Sequence, residues 1–139
     1  MKIRKYQSDD KQRVIDLWKK CGLIVPWNDP EKDIERKLKD SPDLFFVGEI
    51  DDEIISICMA GFDGHRGCVN YLAVKPEFRR KGYAGQIVEY AEKKLKELGC
   101  PKINLMVRKT NQGVIDFYKR IGYKDDPVMV LSKRLIEDL

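Results

Sequence analysis

Only one histidine, His65, occurs in 139 residues, and no group of His, Cys, Asp and Glu falls at metal-ligand spacing, so no resident metal is expected. The four cysteines, Cys21, Cys58, Cys68 and Cys100, form no C-x-x-C pair and lie mostly within apolar stretches, which predicts buried reduced thiols and a cytoplasmic protein. Long apolar runs are missing too. Residues 54–60 fall far short of the ~20 that cross a bilayer, and Lys2, Arg4 and Lys5 interrupt any N-terminal signal pattern, so no membrane partner is expected. There is no Gly-Lys-Ser or Gly-Lys-Thr of a Walker A loop and no G-x-G-x-x-G spacing. Aromatic residues are not interleaved with basic ones and the net charge is only +4, which argues against a nucleic-acid partner. Repeats and low-complexity segments are absent.

What remains is a chain with 42% hydrophobic and 36% charged residues, of a length that suits one domain over residues 1–139. Residues 3–6 read as a first strand. Ser8 can cap a helix with Val14, Leu17, Trp18 and Cys21 on its apolar face, ending at Gly22. After an apolar loop at 23–28, Asp29 and Pro30 open a short charged helix with Ile34 and Leu38 inward. Residues 44–50 and 53–62 predict a hairpin about Asp51-Asp52, and 63–67 turn into a strand at 68–74. A long helix then runs to Gly99. Residues 102–107 form the next strand, parallel to 68–74 because a helix crossover separates them. Asn111 caps a last helix with Val114, Phe117, Tyr118 and Ile121 on one face, and strands at Tyr123 and 128–132 complete the pattern.

The stretch with the most chemistry is 69–88, where a strand, a basic loop and a helix opening at Gly82 follow one another. The first turn of a helix leaves N–H groups unpaired and carries about half a positive charge, which favours an anion there. Gly82 leaves the backbone open to a phosphate, and Arg79, Arg80 and Lys81 add full charges. A di- or polyphosphate fits.

Arg79, Gly82 and Ala84 form an R-x-x-G-x-A motif that resembles the acetyl-coenzyme A (acetyl-CoA) pyrophosphate loop of the GNAT family of N-acetyltransferases. The order β-α-α-β-β-β-α-β-α-β-β is similar to that fold along the whole chain, and a second motif of the family stands at Asn111, Phe117-Tyr118 and Gly122-Tyr123. The runs starting at Pro26, Asp63 and Gly99 most resemble the YpeA-type bacterial acetyltransferases. The resemblance implies an α/β (α+β) acyl-CoA N-acyltransferase fold with a mixed central sheet of about seven strands, four flanking helices, and the parallel pair splayed apart at the cofactor site. It implies an enzyme that moves an acetyl group from acetyl-CoA directly to an amine through a tetrahedral intermediate. The alternative is a non-catalytic acyl-CoA sensor on the same fold.

By the same resemblance, Leu72, Ala73 and Val74 meet the pantetheine arm, whose amides satisfy exposed strand groups. Arg79, Arg80, Lys81, Gly82, Tyr83 and Ala84 hold the pyrophosphate, and Asn111 contacts the cofactor. Tyr118 touches the cofactor and donates to the departing thiolate; with a phenol near pKa ~10 and a thiol near ~8.5, stabilising the developing charge can contribute more than full proton transfer. Trp27, Asn28, Asp29, His65 and Arg66 are candidates for the acceptor side, although Trp27 equally suits packing and a turn histidine is more often a surface group than a base. The acceptor is a small-molecule amine or a protein N-terminus, and a homodimer is an expectation because several members of the fold dimerise. Related enzymes that acetylate protein N-termini carry a glutamate where this chain has Met106, which cannot take a proton. An α-amine with pKa near ~7.7 is about one-sixth neutral at pH 7, whereas a lysine amine near ~10.4 is neutral about once in 2,500 molecules. Either the acceptor deprotonates easily, or another residue or a water chain serves as base.

Overall fold

The computed structural model describes residues 1–138. They form two compact units, Met1–Asn104 with Asp138, and Leu105–Glu137. In the first unit the elements are β1 (Lys2–Lys5), α1 (Lys11–Lys20), α2 (Pro30–Asp40), β2 (Phe45–Ile50), β3 (Glu53–Phe62), β4 (Gly67–Val74) and α3 (Tyr83–Glu97). The second unit carries α4 (Gln112–Arg120). The strands make one antiparallel sheet in the order β1-β2-β3-β4.

Local chemistry sets most of these boundaries. Asp51 and Asp52 are both left-handed, with φ of 51° and 63°, the geometry a tight two-residue hairpin needs to match strand twist. The Asp29 carboxylate accepts the Glu31 and Lys32 N–H groups at 2.9 and 3.2 Å, and Pro30 takes the first helical position, where no N–H is required. Alternation in β2 sends Phe45 and Val47 to one face and Phe46 to the other. On the first face Trp18 of α1 is fully buried and stacks between Phe45, 6.3 Å away, and Tyr71, 4.1 Å away. On the second, Phe46 meets Tyr90 of α3 edge-on, and Ile87, Val88, Ala91 and Leu95 are buried.

Several expectations are corrected. Four antiparallel strands stand among the described residues, not a mixed sheet of about seven. Residues 102–107 make no strand and no splayed parallel pair with β4: among the described residues the only parallel pairing is the bridge Gly67–Ile103, held by Gly67 N–H to Lys102 O at 2.8 Å and Asn104 N–H to Gly67 O at 2.9 Å. The bridge forms at Gly67 because a Cβ there would crowd Cys100, Ile103 and Leu95. Residues 128–132 and Tyr123 are likewise outside any strand, and Val128, Met129, Val130 and Leu131 are exposed. Alternation reports a side-chain pattern, but a strand also needs a ladder partner, which these segments lack among the described residues. Leu38, Leu98 and Ile121 are exposed as well, each in or just past the last turn of its helix, where the apolar stripe has left the core. Of the four free cysteines only Cys58 is buried, and burial pushes its thiol up to about 12.

Candidate active site

β4 is interrupted by a bulge. Ile57 pairs with Ala73 and Met59 with Asn70, so Tyr71 and Leu72 together oppose Cys58 alone, and Tyr71 adopts a left-handed φ of 52°. The bulge bends the strand just before Leu72, Ala73 and Val74, of which Ala73 and Val74 are buried and Leu72 is half-buried. A bulky residue at positive φ costs on the order of 1–3 kcal/mol, so the surrounding structure must impose it. Trp18 presses on the Tyr71 ring, and the Tyr71 hydroxyl donates to Asp33 Oδ2 at 2.6 Å. Burial, and then that hydrogen bond, push the phenol well above its usual range.

Beyond β4 the chain makes a short turn at Pro76–Phe78 and enters α3 through a left-handed Gly82 at φ 84°. Gln86 N–H to Gly82 O, at 3.1 Å, is the first bond of the helical ladder. The amides of Tyr83, Ala84 and Gly85 lie ahead of it, and a glycine cap has no side chain to close them. A Cβ at Gly82 would meet nothing within 4 Å, so the approach to these amides is open. Arg79, Arg80 and Lys81 are exposed around the opening. Arg79 is anchored through Nε to Val74 O at 3.1 Å, Arg80 is left-handed at φ 63°, and the Lys81 ammonium lies 5.6 Å from the Phe78 ring centre, beside Tyr83. Strand end, loop and helix start thus form a positively charged cradle of backbone donors able to hold a phosphate.

In the second unit, Asn111 caps α4 by accepting the Val114 N–H at 3.3 Å. Tyr118 is buried and packs edge-on against Phe117 and Tyr123, with ring centres 5.0 and 5.2 Å away. Met106 is exposed.

The residues assigned to the acceptor side divide into two places. Asn28 and Asp29 line a cleft of about 390 Å³ with Gln12, Ile15, Lys19, Pro30, Glu31 and Asp138, and Trp27 is half-exposed beside them in sequence. His65 and Arg66 lie outside the lining of that cleft. They sit in the β3–β4 turn, where both their N–H groups donate to Asp63 Oδ1 at 2.7 Å; those two bonds hold the Asp63 carboxyl below its usual range. Sequence reasoning missed the bulge and the Tyr71–Asp33 pair. Neither has a local signal, because tyrosine favours strands and its partner lies 38 residues away. Among the described residues, no group of three or more His, Cys, Asp or Glu could hold a metal ion, and no helix is long and apolar enough to cross a membrane.

With this geometry in place, comparison with known proteins is direct. Residues 9–123 match the Acetyltransferase (GNAT) family, and the chain belongs to it. It is similar to an acetyltransferase of Sodalis glossinidius, with 52% identity over 139 residues covering 99% of this chain and 98% of that one. Among solved structures it resembles one from Agrobacterium tumefaciens, with a TM-score of 0.79 and 13% identity over 96% of this chain and all of the other. It also resembles AAC(6')-Iy in complex with the bisubstrate analogue CoA-S-monomethyl-acetylneamine, with a TM-score of 0.78 and 19% identity over 96% and 97% of the two chains. The protein is therefore an acyltransferase of the GNAT fold.

Proposed function

We propose that the protein transfers the acetyl group of acetyl-CoA directly to an amine, on a small molecule or a protein N-terminus, in the cytoplasm and without a resident metal. The observation that carries this reading is the open, cationic start of α3, directly downstream of the bulged β4. Its unpaired amides suit a pyrophosphate, and the edge of β4 along which no strand pairs among the described residues suits an amide-bearing arm. A CoA-linked analogue bound to a protein of similar fold supports the same donor.

In this reading Leu72, Ala73 and Val74 offer backbone groups to the pantetheine amides. Arg79, Arg80, Lys81, Gly82, Tyr83 and Ala84 take the pyrophosphate, and Asn111 takes a further cofactor contact. The amine attacks the thioester carbonyl, a tetrahedral adduct collapses, and Tyr118 hydrogen-bonds the leaving sulfur and supplies its proton. Trp27, Asn28 and Asp29 border the acceptor, with His65 and Arg66 as outlying candidates. Residues 1–139 act as one catalytic domain, and a homodimer is compatible with the scheme.

Replacing Tyr118 by Phe should lower kcat about 100-fold while leaving the Kd for acetyl-CoA within about threefold, since a positioned proton donor contributes on that scale and the ring is retained. Thiol release from acetyl-CoA, followed in the presence of amines, measures the first; calorimetry measures the second. Unchanged turnover would remove Tyr118 from the chemistry.

A further inference from the structure

The acceptor nitrogen must lose a proton, and Met106 offers no base for it. We propose that Tyr71 is the catalytic group that takes this proton, with Asp33 as the positioning residue that receives the phenol's own proton in return. The inference rests on the acetyl-transfer reading above and goes beyond it by naming the missing base.

Four observations converge on Tyr71. It occupies the bulge immediately ahead of Leu72, the first of the three residues assigned to the thioester arm. Its backbone is held left-handed, the kind of imposed strain that gathers at functional sites. Its ring is fixed by Trp18 of α1, and its hydroxyl by Asp33 of α2 at 2.6 Å, so orientation and hydrogen bond are set before any acceptor arrives. Finally, Leu23 and Ile24, from the loop that carries Trp27, Asn28 and Asp29, pack against the same core cluster as Tyr71. Burial keeps the phenol protonated at neutral pH, so it donates to Asp33 and keeps its oxygen lone pairs for a bound N–H. The charged groups around it are Asp33, Asp29 and Asp138, with Arg36 joining Asp33 to Asp138 through contacts of 3.4 and 2.8 Å.

The step balances. The amine lone pair forms the C–N bond and the carbonyl π pair moves to oxygen. The nitrogen of the adduct, now cationic and far more acidic than a free ammonium, passes its proton to Tyr71 Oη as the Tyr71 proton moves to Asp33 Oδ2. The C–S bond then breaks with its electron pair going to sulfur, which is protonated from Tyr118. Asp33 returns its proton to solvent through Tyr71, and solvent reprotonates Tyr118. The products are an amide and a thiol.

The test compares wild type with Tyr71→Phe, Asp33→Asn and Asp33→Glu in the full chain, using acetyl-CoA with spermidine, a free-N-terminus tripeptide and hydroxylamine. Calorimetry should give the same acetyl-CoA Kd within about twofold for all four proteins. Tyr71→Phe should lose kcat by 100-fold or more with the amine KM within about threefold, the size of a general-base contribution. Asp33→Asn leaves the phenol without an acceptor for its proton and should lose kcat at least as far as Tyr71→Phe, and Asp33→Glu should restore it in part. Turnover of Tyr71→Phe within threefold of wild type would overturn the role, as would loss of cofactor binding and thermal stability together in both Tyr71→Phe and Asp33→Asn, the mark of a purely structural pair. Wild type that binds no acetyl-CoA, or binds it and acetylates none of the three amines, would overturn the acetyl-transfer reading and this role with it.

Discussion

Gly82→Glu should abolish acetyl-CoA binding, weakening it more than 100-fold while the fold persists. Gly82 caps α3 from a left-handed backbone, and a side chain built there meets no neighbouring atom, so a glutamate has room in the empty protein. The strain of an L-residue at that φ is about 1–2 kcal/mol and acts on stability. The loss of binding comes from charge. One carboxylate ~5 Å from one phosphate charge costs about 3 kcal/mol at an effective dielectric of 20, and 1.4 kcal/mol corresponds to a factor of ten in Kd. Gly82→Ala separates the two contributions. It carries the strain without the charge and should retain binding to within about tenfold by calorimetry, with a slightly lowered Tm. Equal binding by wild type and Gly82→Glu would mean that the pyrophosphate lies elsewhere.

The largest effect on stability is expected at Asp10, which has no part in the chemistry proposed above. Its carboxylate is almost wholly buried and accepts from Arg4 at 2.7 and 2.9 Å, from Arg13 at 2.6 Å and from the Gln7 N–H at 2.8 Å, while Arg4 also bonds Glu49. Asp10 thus joins β1 to the start of α1, and Arg4 extends the link to β2. Removing it leaves the Arg4 guanidinium without its main partner in a mostly buried setting, which typically costs 3–5 kcal/mol, roughly. For a chain of this length Asp10→Ala should lower Tm on the order of 10–15 °C, measured by thermal melting. The pH dependence has a definite sign. Burial alone would raise the Asp10 carboxyl, but the Arg4 and Gln7 hydrogen bonds and the charges of Arg4 and Arg13 outweigh it and hold it below its usual value. The contribution is therefore present above the unfolded value near ~3.9 and is lost as pH falls through the lower folded value. Wild type should lose Tm more steeply than Asp10→Asn below about pH 4. Parallel acid profiles would show that Asp10 is not the group responsible.

Features governed by neighbours in sequence were legible in the sequence. The Asp29-Pro30 start of α2, the Asp51-Asp52 hairpin, the glycine entry to α3 and the Asn111 cap of α4 each depend on a few adjacent residues, and each stands where those residues put it. What depends on partners distant in sequence was not. Asp10 carries no signal of its own in the sequence, and its role appears only when Arg4 and Arg13 close on it. Tyr71 reads as an ordinary strand residue, because the bulge is a property of the register between β3 and β4. Residues 102–107, Tyr123 and 128–132 read as strands, yet among the described residues only the Gly67–Ile103 bridge forms there. The strand-to-helix junction before α3 was legible because its signal, a glycine behind a run of basic residues, is local.

The central claim, that acetyl-CoA lies on the start of α3 and the bulged end of β4, is tested most directly by the backbone amide resonances of the isotope-labelled protein during titration with acetyl-CoA. The account predicts the largest shifts at Gly82, Tyr83, Ala84 and Gly85, where the amides gain a phosphate partner, with a second group at Leu72 and Val74. Saturable shifts confined to other residues, or none at millimolar cofactor, would contradict it.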